Sequence, residues 1–293
     1  MAAPQDLRSL ITAPHPDLAP LPPAAPVGDG VRLLRGVPYA EVPGARPLEL
    51  DLWLPTETGT RPLPLLLLVH GGAWRRGRRD EMGYRLRSWH PGPLARIAAS
   101  GFAVASVDYR LSGEAVFPAQ IEDLRDALGW LGRRSAELGL DTTRTVVWGE
   151  SAGGHLAALL ALADDLPGIT GAVVWYAPSD LTLNAENPHT PDALLLGAAP
   201  ADVPRLAVQA SPLRQVRRGA PPFFVAHGEA DSMVDAAHSR RLAERLTEAG
   251  VPTELRLLPG ADHVWHGLPD DQLENIFADS LNWAHGVVGG RPV

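Results

Sequence analysis

The sequence has no cysteine and no lysine in 293 residues. Without cysteine there can be no disulfide, no thiolate metal ligand and no thiol nucleophile. Without lysine all 26 basic side chains are arginine. That excludes Schiff-base chemistry, a P-loop lysine and a Ser-Lys hydrolase together. An excess of positive charge is also missing. The formal net charge is −8, so there is no electrostatic footprint for nucleic acid. No apolar run approaches the roughly 18 residues of a membrane span. The N-terminus lacks the basic start and apolar centre of a secretory signal. These absences lead us to expect a cytoplasmic protein with neither nucleic acid nor membrane as partner.

What is present suits a soluble enzyme-sized domain. Hydrophobic residues make up 45% and charged residues 20%, enough to build a sizeable core. Residues 1–30 carry Pro4, Pro14, Pro16, Pro20, Pro22, Pro23 and Pro26, which argues against a long regular element. A short helix over Asp6–Ile11 is expected there. The rest of the segment reads as an extended arm over the domain surface, with the site entrance within its reach. From residue 31 onward one domain is expected.

Val31–Tyr39 and Leu48–Leu54 alternate apolar and polar residues, the period of half-buried antiparallel edge strands. Leu63–Val69 is a continuous apolar run of the kind buried on both faces, and further runs follow at Phe102–Val107, Thr145–Trp148, Ile169–Trp175, Pro222–Ala226 and Thr253–Leu258. Helical stripes lie between and after them: Ile121, Leu124, Leu128 and Leu131; then Leu242 and Leu246, with Gly250 as the stop; then Leu273, Ile276, Phe277, Leu281 and Ala284. Strands alternating with helices predict an α/β fold, a mostly parallel sheet of about eight strands with helices on both faces. Residues 179–220 break this rhythm. The interval offers only two helix-like pieces, Pro191–Leu196 and Ala201–Ala210, and a stretch that long is read as a small lid insertion.

The chemistry centres on Gly149-Glu150-Ser151-Ala152-Gly153-Gly154. A serine between two close glycines, at a strand-to-helix junction, fits a nucleophile elbow. Folds with this elbow order their partners as nucleophile, acid, histidine. Of the late histidines, His263 lies in the loop directly after a strand run and is preferred to His266 and His285. Asp231, after the Phe223–Ala226 run, is the first choice for the acid, with Glu229 and Asp235 as alternatives; an aspartate there also suits a turn or helix cap. His70-Gly71-Gly72-Ala73-Trp74 ends another strand run. Its Gly72 and Ala73 N–H groups, with that of Ala152, are the candidate oxyanion donors. Gly71, Trp74, Glu150 and Leu194 are the candidate substrate-binding residues. Arg75, Arg76, Arg78 and Arg79 read as a solvated loop, and His155 as a packing residue within its helix.

Together with Asp108-Tyr109-Arg110-Leu111, Phe117-Pro118-Ala119, His227–Asp231 and Asp262-His263, these motifs resemble the α/β-hydrolases of the carboxylesterase/lipase type. The resemblance covers about residue 31 to the C-terminus. It lies near the hormone-sensitive-lipase-like and feruloyl-esterase-like bacterial esterases. The former carry a third glycine where Ala73-Trp74 stands here; Gly-Gly-x-Trp is closer to feruloyl-esterase-like members and to kynurenine formamidase. The resemblance implies a serine carboxylesterase working through an acyl-enzyme; with so small a lid, short-chain acyl or aromatic-acid esters are the expected substrates, and a monomer or homodimer is expected. It implies no metal or other cofactor. An amide or formamide hydrolase with the same triad is the alternative. A non-catalytic binding protein of the same fold is a remote one.

Overall fold

The computed structural model describes residues 15–289 except 29, 58, 60 and 185. The expected helix over Asp6–Ile11 lies outside the described residues.

Among the described residues nine strands form one sheet: β1 (Ala25–Gly28), β2 (Val31–Ala40), β3 (Leu48–Pro55), β4 (Leu63–Val69), β5 (Ala103–Val107), β6 (Leu140–Glu150), β7 (Ile169–Trp175), β8 (Phe223–Gly228) and β9 (Thr253–Leu258). Their spatial order is β1-β2-β3-β5-β4-β6-β7-β8-β9. The first three pair antiparallel, and β3 joins β5 the same way. From β5 to β9 all neighbours are parallel. The strand beyond the expected eight is β1, from the proline-rich arm. It is an edge strand, where a proline such as Pro26 costs no ladder hydrogen bond.

Two expectations change in this half of the sheet. β3 is buried on both faces. Trp53 joins a core cluster with Leu94 and Ile97 from helix α1 (Pro93–Ala99), and Asp51 is covered by Arg79. The arm also runs away from the site. The Pro16 carbonyl accepts from Trp130 Nε1 at 3.1 Å, and Arg134 Nη1 donates to the Pro16 and Ala19 carbonyls. Trp130 lies near the C-terminal end of helix α2 (Ala119–Arg133), and Arg134 caps it. That helix starts beyond the C-terminal end of β5, so its far end sits at the opposite sheet edge from Ser151.

After α2 come a short helix α3 (Ser135–Leu138) and, beyond β6, helix α4 (Ala152–Leu162). All eleven residues of α4 are buried, as its alanine and leucine content on every face demands. Helix α8 (Ala237–Glu248) shares the core on that side, and α9 (Asp270–Val288) covers the other face with α1. Gly250, at φ 74°, follows the end of α8 as expected.

Between β7 and β8 the irregular interval holds α5 (Pro191–Leu196), α6 (Pro204–Gln209) and α7 (Pro212–Gln215). Each begins with proline, whose fixed φ and missing N–H suit a first helical position. α5 matches its expected bounds; α6 is shorter than the Ala201–Ala210 piece, and α7 is additional. The interval is tied down, with Asp180 paired to Arg214 and Arg217 donating to the Leu162 and Ala163 carbonyls. Among the described residues no helix is long and apolar enough to cross a membrane.

Candidate active site

Register brings the loops together. Val69 of β4 pairs with Gly149 of β6, Glu150 with Trp175 of β7, Trp175 with Ala226 of β8, and Gly228 with Leu258 of β9. The segments after these strands therefore leave one edge of the sheet side by side. They carry His70–Trp74, Ser151, Tyr176, Asp231 and His263.

Ser151 has φ 50° and ψ −120°, a region that costs a non-glycine residue on the order of 1–3 kcal/mol. Its neighbours are glycine for reasons of space. A Cβ on Gly149 would meet the Gly153 carbonyl, and one on Gly153 would meet the Val69 carbonyl. The tight turn aims the Ser151 hydroxyl at His263, 3.0 Å from Oγ to Nε2. On the other side of the imidazole, Nδ1 is 2.7 Å from Asp231 Oδ2. The Asp231 side chain is fully buried, and its Oδ1 accepts the Met233 and Val234 N–H groups. Burial opposes its charge, but hydrogen bonds from His227 and His263 outweigh burial and hold the carboxyl far below the usual range.

The other candidates go elsewhere. Glu229 pairs with Arg240, and Asp235 accepts from the Ala237 N–H at the start of α8. His266 Nδ1 meets the Tyr84 hydroxyl, and His285 meets Ser100.

Ala73, Trp74, Ser151, Ala152 and His263 line one cavity of ≈ 370 Å³. Its far side is formed by Pro178, Leu183, Asn184, Thr190, Pro191, Asp192, Met233, Val234, Asp235 and His238. Leu183 and Met233 are 50% and 69% exposed, which puts apolar side chains at the mouth. Gly72, Ala73 and Trp74 all have positive φ, so the chain turns sharply and presents backbone beside Ser151. Ala152 opens α4, where the first N–H groups lack intrahelical acceptors.

Three of the four substrate-binding candidates do not line this cavity. Gly71 and Glu150 line a neighbouring one of ≈ 320 Å³, together with Gly72, Arg76 and Val264. Glu150 is next to Ser151, and strand alternation turns its side chain away. Its Oε1 accepts the Gly71 N–H at 3.3 Å and its Oε2 the Tyr176 hydroxyl at 2.6 Å. Burial pushes the Glu150 carboxyl above its usual range. Leu194 is half-buried in α5 and touches neither cavity. At the boundary between the two, Gly72 lines the ≈ 320 Å³ cavity and its neighbour Ala73 the cavity with Ser151.

Several residues escaped the sequence reading. His227 Nε2 stands 3.2 Å from Asp231 Oδ2, a second partner for that carboxylate. Asp262 Oδ1 accepts from the N–H groups of both Ser232 and His263, tying the two loops together. Tyr176 packs edge-on against the His263 ring at 5.0 Å. Only the positions of His227 and Asp262 beside the expected site hinted at this. The reading of Arg79 as solvated is corrected: it bridges Glu49, Asp51 and Asp108 behind the His70–Trp74 loop. A larger cavity of ≈ 560 Å³ overlies that ion-pair cluster and contains neither Ser151 nor His263.

Comparison with known proteins agrees with this architecture. The family model BD-FAE matches residues 50–246. Esterase LipQ of Mycobacterium tuberculosis is 34% identical over 273 residues, covering 87% of this chain and 62% of that protein. Carboxylesterase NlhH of the same organism is 36% identical over 221 residues, covering 69% of this chain and 66% of its own. The chain thus spans slightly less than two thirds of each relative. Among solved structures, a truncated carbohydrate esterase from gut microbiota aligns with a TM-score of 0.71 at 24% identity, over 88% of this chain and 99% of that one. At that identity the likeness concerns the fold.

Proposed function

The chain belongs to the BD-FAE family of α/β-hydrolases, and from that premise we propose that it is a serine carboxylic-ester hydrolase acting on short-chain acyl or aromatic-acid esters. One observation carries the reading: a strained serine, a histidine and a buried aspartate form a continuous hydrogen-bonded line at the wall of one cavity. The esterase names of the mycobacterial relatives support it.

In this reading Ser151 Oγ attacks the ester carbonyl as His263 Nε2 takes its proton. Asp231 holds the imidazole with its proton on Nδ1 and stabilises the cation. The N–H groups of Gly72, Ala73 and Ala152 stabilise the tetrahedral oxyanion, each worth about 3 kcal/mol of barrier. His263 then returns the proton to the leaving alcohol. An acyl-Ser151 remains, and water activated by the same histidine releases it. Residues 179–220 act as the lid, closing the cavity with Leu183, Asn184, Thr190, Pro191 and Asp192.

An organophosphate ester tests the nucleophile. Mass spectrometry should find one label, on Ser151, and none on Ser151→Ala, which should be inactive. A label elsewhere, or full turnover by Ser151→Ala, would sink the reading. Comparing an aryl ester with N-formylkynurenine tests the bond cleaved; a higher specificity constant for the formamide would move the reading to an arylformamidase.

A further inference from the structure

Two polar groups in the Ser151 cavity have no task in acyl transfer. The first is His238, on α8. Its Nδ1 accepts the Ser179 N–H at 3.1 Å. A neutral imidazole that accepts at Nδ1 carries its proton on Nε2, and burial lowers the pKa of His238, favouring the neutral ring. His238 lines the cavity, and among the described residues its Nε2–H has no acceptor. The second is Asp192, on α5, only 9% exposed and lining the same cavity. Its Oδ2 accepts from Asn184 Nδ2 at 3.0 Å. Its Oδ1 receives no hydrogen bond from any other described residue. A donor and an acceptor thus stand open in a cavity whose apolar lining is Trp74, Pro178, Leu183 and Met233.

Such groups are costly when an apolar ligand covers them. A hydroxyl serves both, because it accepts from an N–H and donates to a carboxylate. An ammonium group cannot accept from Nε2–H, and a carboxylate cannot donate to Asp192. Among the described residues no arginine lines the cavity, so no cationic side chain of that kind offsets a negative ligand charge there. Resting on the ester-hydrolase reading, we propose that His238 and Asp192 form a hydroxyl-recognising subsite. It selects esters whose cavity-bound part carries one hydroxyl, or two on adjacent carbons, over their plain alkyl and carboxylate counterparts.

Two matched substrate pairs test this. For the acyl half they are p-nitrophenyl 3-hydroxybutyrate and p-nitrophenyl butyrate. For the alcohol half they are glycerol monoacetate and propyl acetate. In at least one pair the hydroxylated member should have the higher kcat/KM, by about fivefold for each hydrogen bond formed. His238→Leu and Asp192→Leu should each bring that ratio close to one. His238→Gln, whose amide N–H reaches toward the position of Nε2, should keep most of it. Each ratio is measured on a single preparation, so loss of folded protein cancels. The two leucine substitutions lie on different elements, and either one suffices. A ratio near one in both pairs for the unaltered protein overturns the subsite, as does a ratio unchanged in both leucine variants. If none of the four esters is cleaved, the ester-hydrolase reading falls and the subsite with it.

Discussion

Trp74 donates its indole N–H to Nδ1 of His155 across 3.2 Å. The opposite imidazole nitrogen, Nε2, then carries the proton and meets the Ala210 carbonyl at 2.6 Å. One buried histidine therefore joins the loop beside Ser151, the helix behind it and the 179–220 interval.

Replacing His155 with leucine should leave the Trp74 N–H and the Ala210 carbonyl buried without partners. The expected loss is about 2 kcal/mol at pH 7, read by urea denaturation. Burial holds the His155 pKa down to about 4. In the unfolded chain it is about 6.5, so on acidification the unfolded state takes up its proton first. The stabilisation is complete above that unfolded value and is lost as pH falls toward the folded one. The gap between the unaltered protein and His155→Leu should narrow by pH 4.5; a gap that widens there would contradict the neutral-bridge role.

Asp231→Asn should lower kcat by roughly 10⁴, the size seen when a serine protease triad loses its acid in this way. The amide favours the wrong imidazole tautomer. Glu229→Gln and Asp235→Asn should stay within a few-fold of normal, because one pairs with Arg240 and the other caps α8. The reverse ranking would reassign the acid.

Acyl chain length should matter in a rise and fall. Each methylene that finds room should raise kcat/KM about fourfold, from about 0.8 kcal/mol of burial. In a cavity of ≈ 370 Å³ we expect the maximum at roughly C2 to C6 and little activity on emulsified long-chain triglycerides. Leu183→Ala, at the mouth, should move the maximum to longer chains. Leu194→Ala should leave it in place, since that side chain is outside the cavity. A p-nitrophenyl ester series reads both variants.

Arg79→Leu should destabilise the fold by about 3 kcal/mol, because it strands the Asp51 carboxylate, whose side chain is 2% exposed, without its cation. Arg79→Lys should restore only part, since an ammonium cannot span Glu49, Asp51 and Asp108 as a guanidinium fork does. Thermal unfolding of both variants is the measurement.

Much of this architecture could be read from residue order. The runs from Leu63 onward became β4 to β9, and for β4, β5, β7 and β8 the reason is that a strand buried on both faces writes its burial into consecutive side chains. β1 was missed because its four residues are all exposed and one is proline. β3 was read as half-exposed because Asp51 and Glu49 are charged; the distant Arg79 and the Gly36 N–H make the burial of Asp51 tolerable.

The sequence by itself determined the parallel sheet, the serine turn with its two space-saving glycines, and the absence of any cysteine or lysine chemistry. These follow from local sterics, burial period and composition, which act over a few residues. Tertiary structure decided which carboxylate meets His263, which side of the serine Glu150 faces, and which histidines serve as partners. Ser151 and His263 are 112 positions apart, and Asp231 and His263 are 32 apart. Their hydrogen bonds depend on sheet register and on loops leaving one edge together. Hydrogen bonding is directional over about 3 Å, and no local pattern specifies position to that tolerance across such separations.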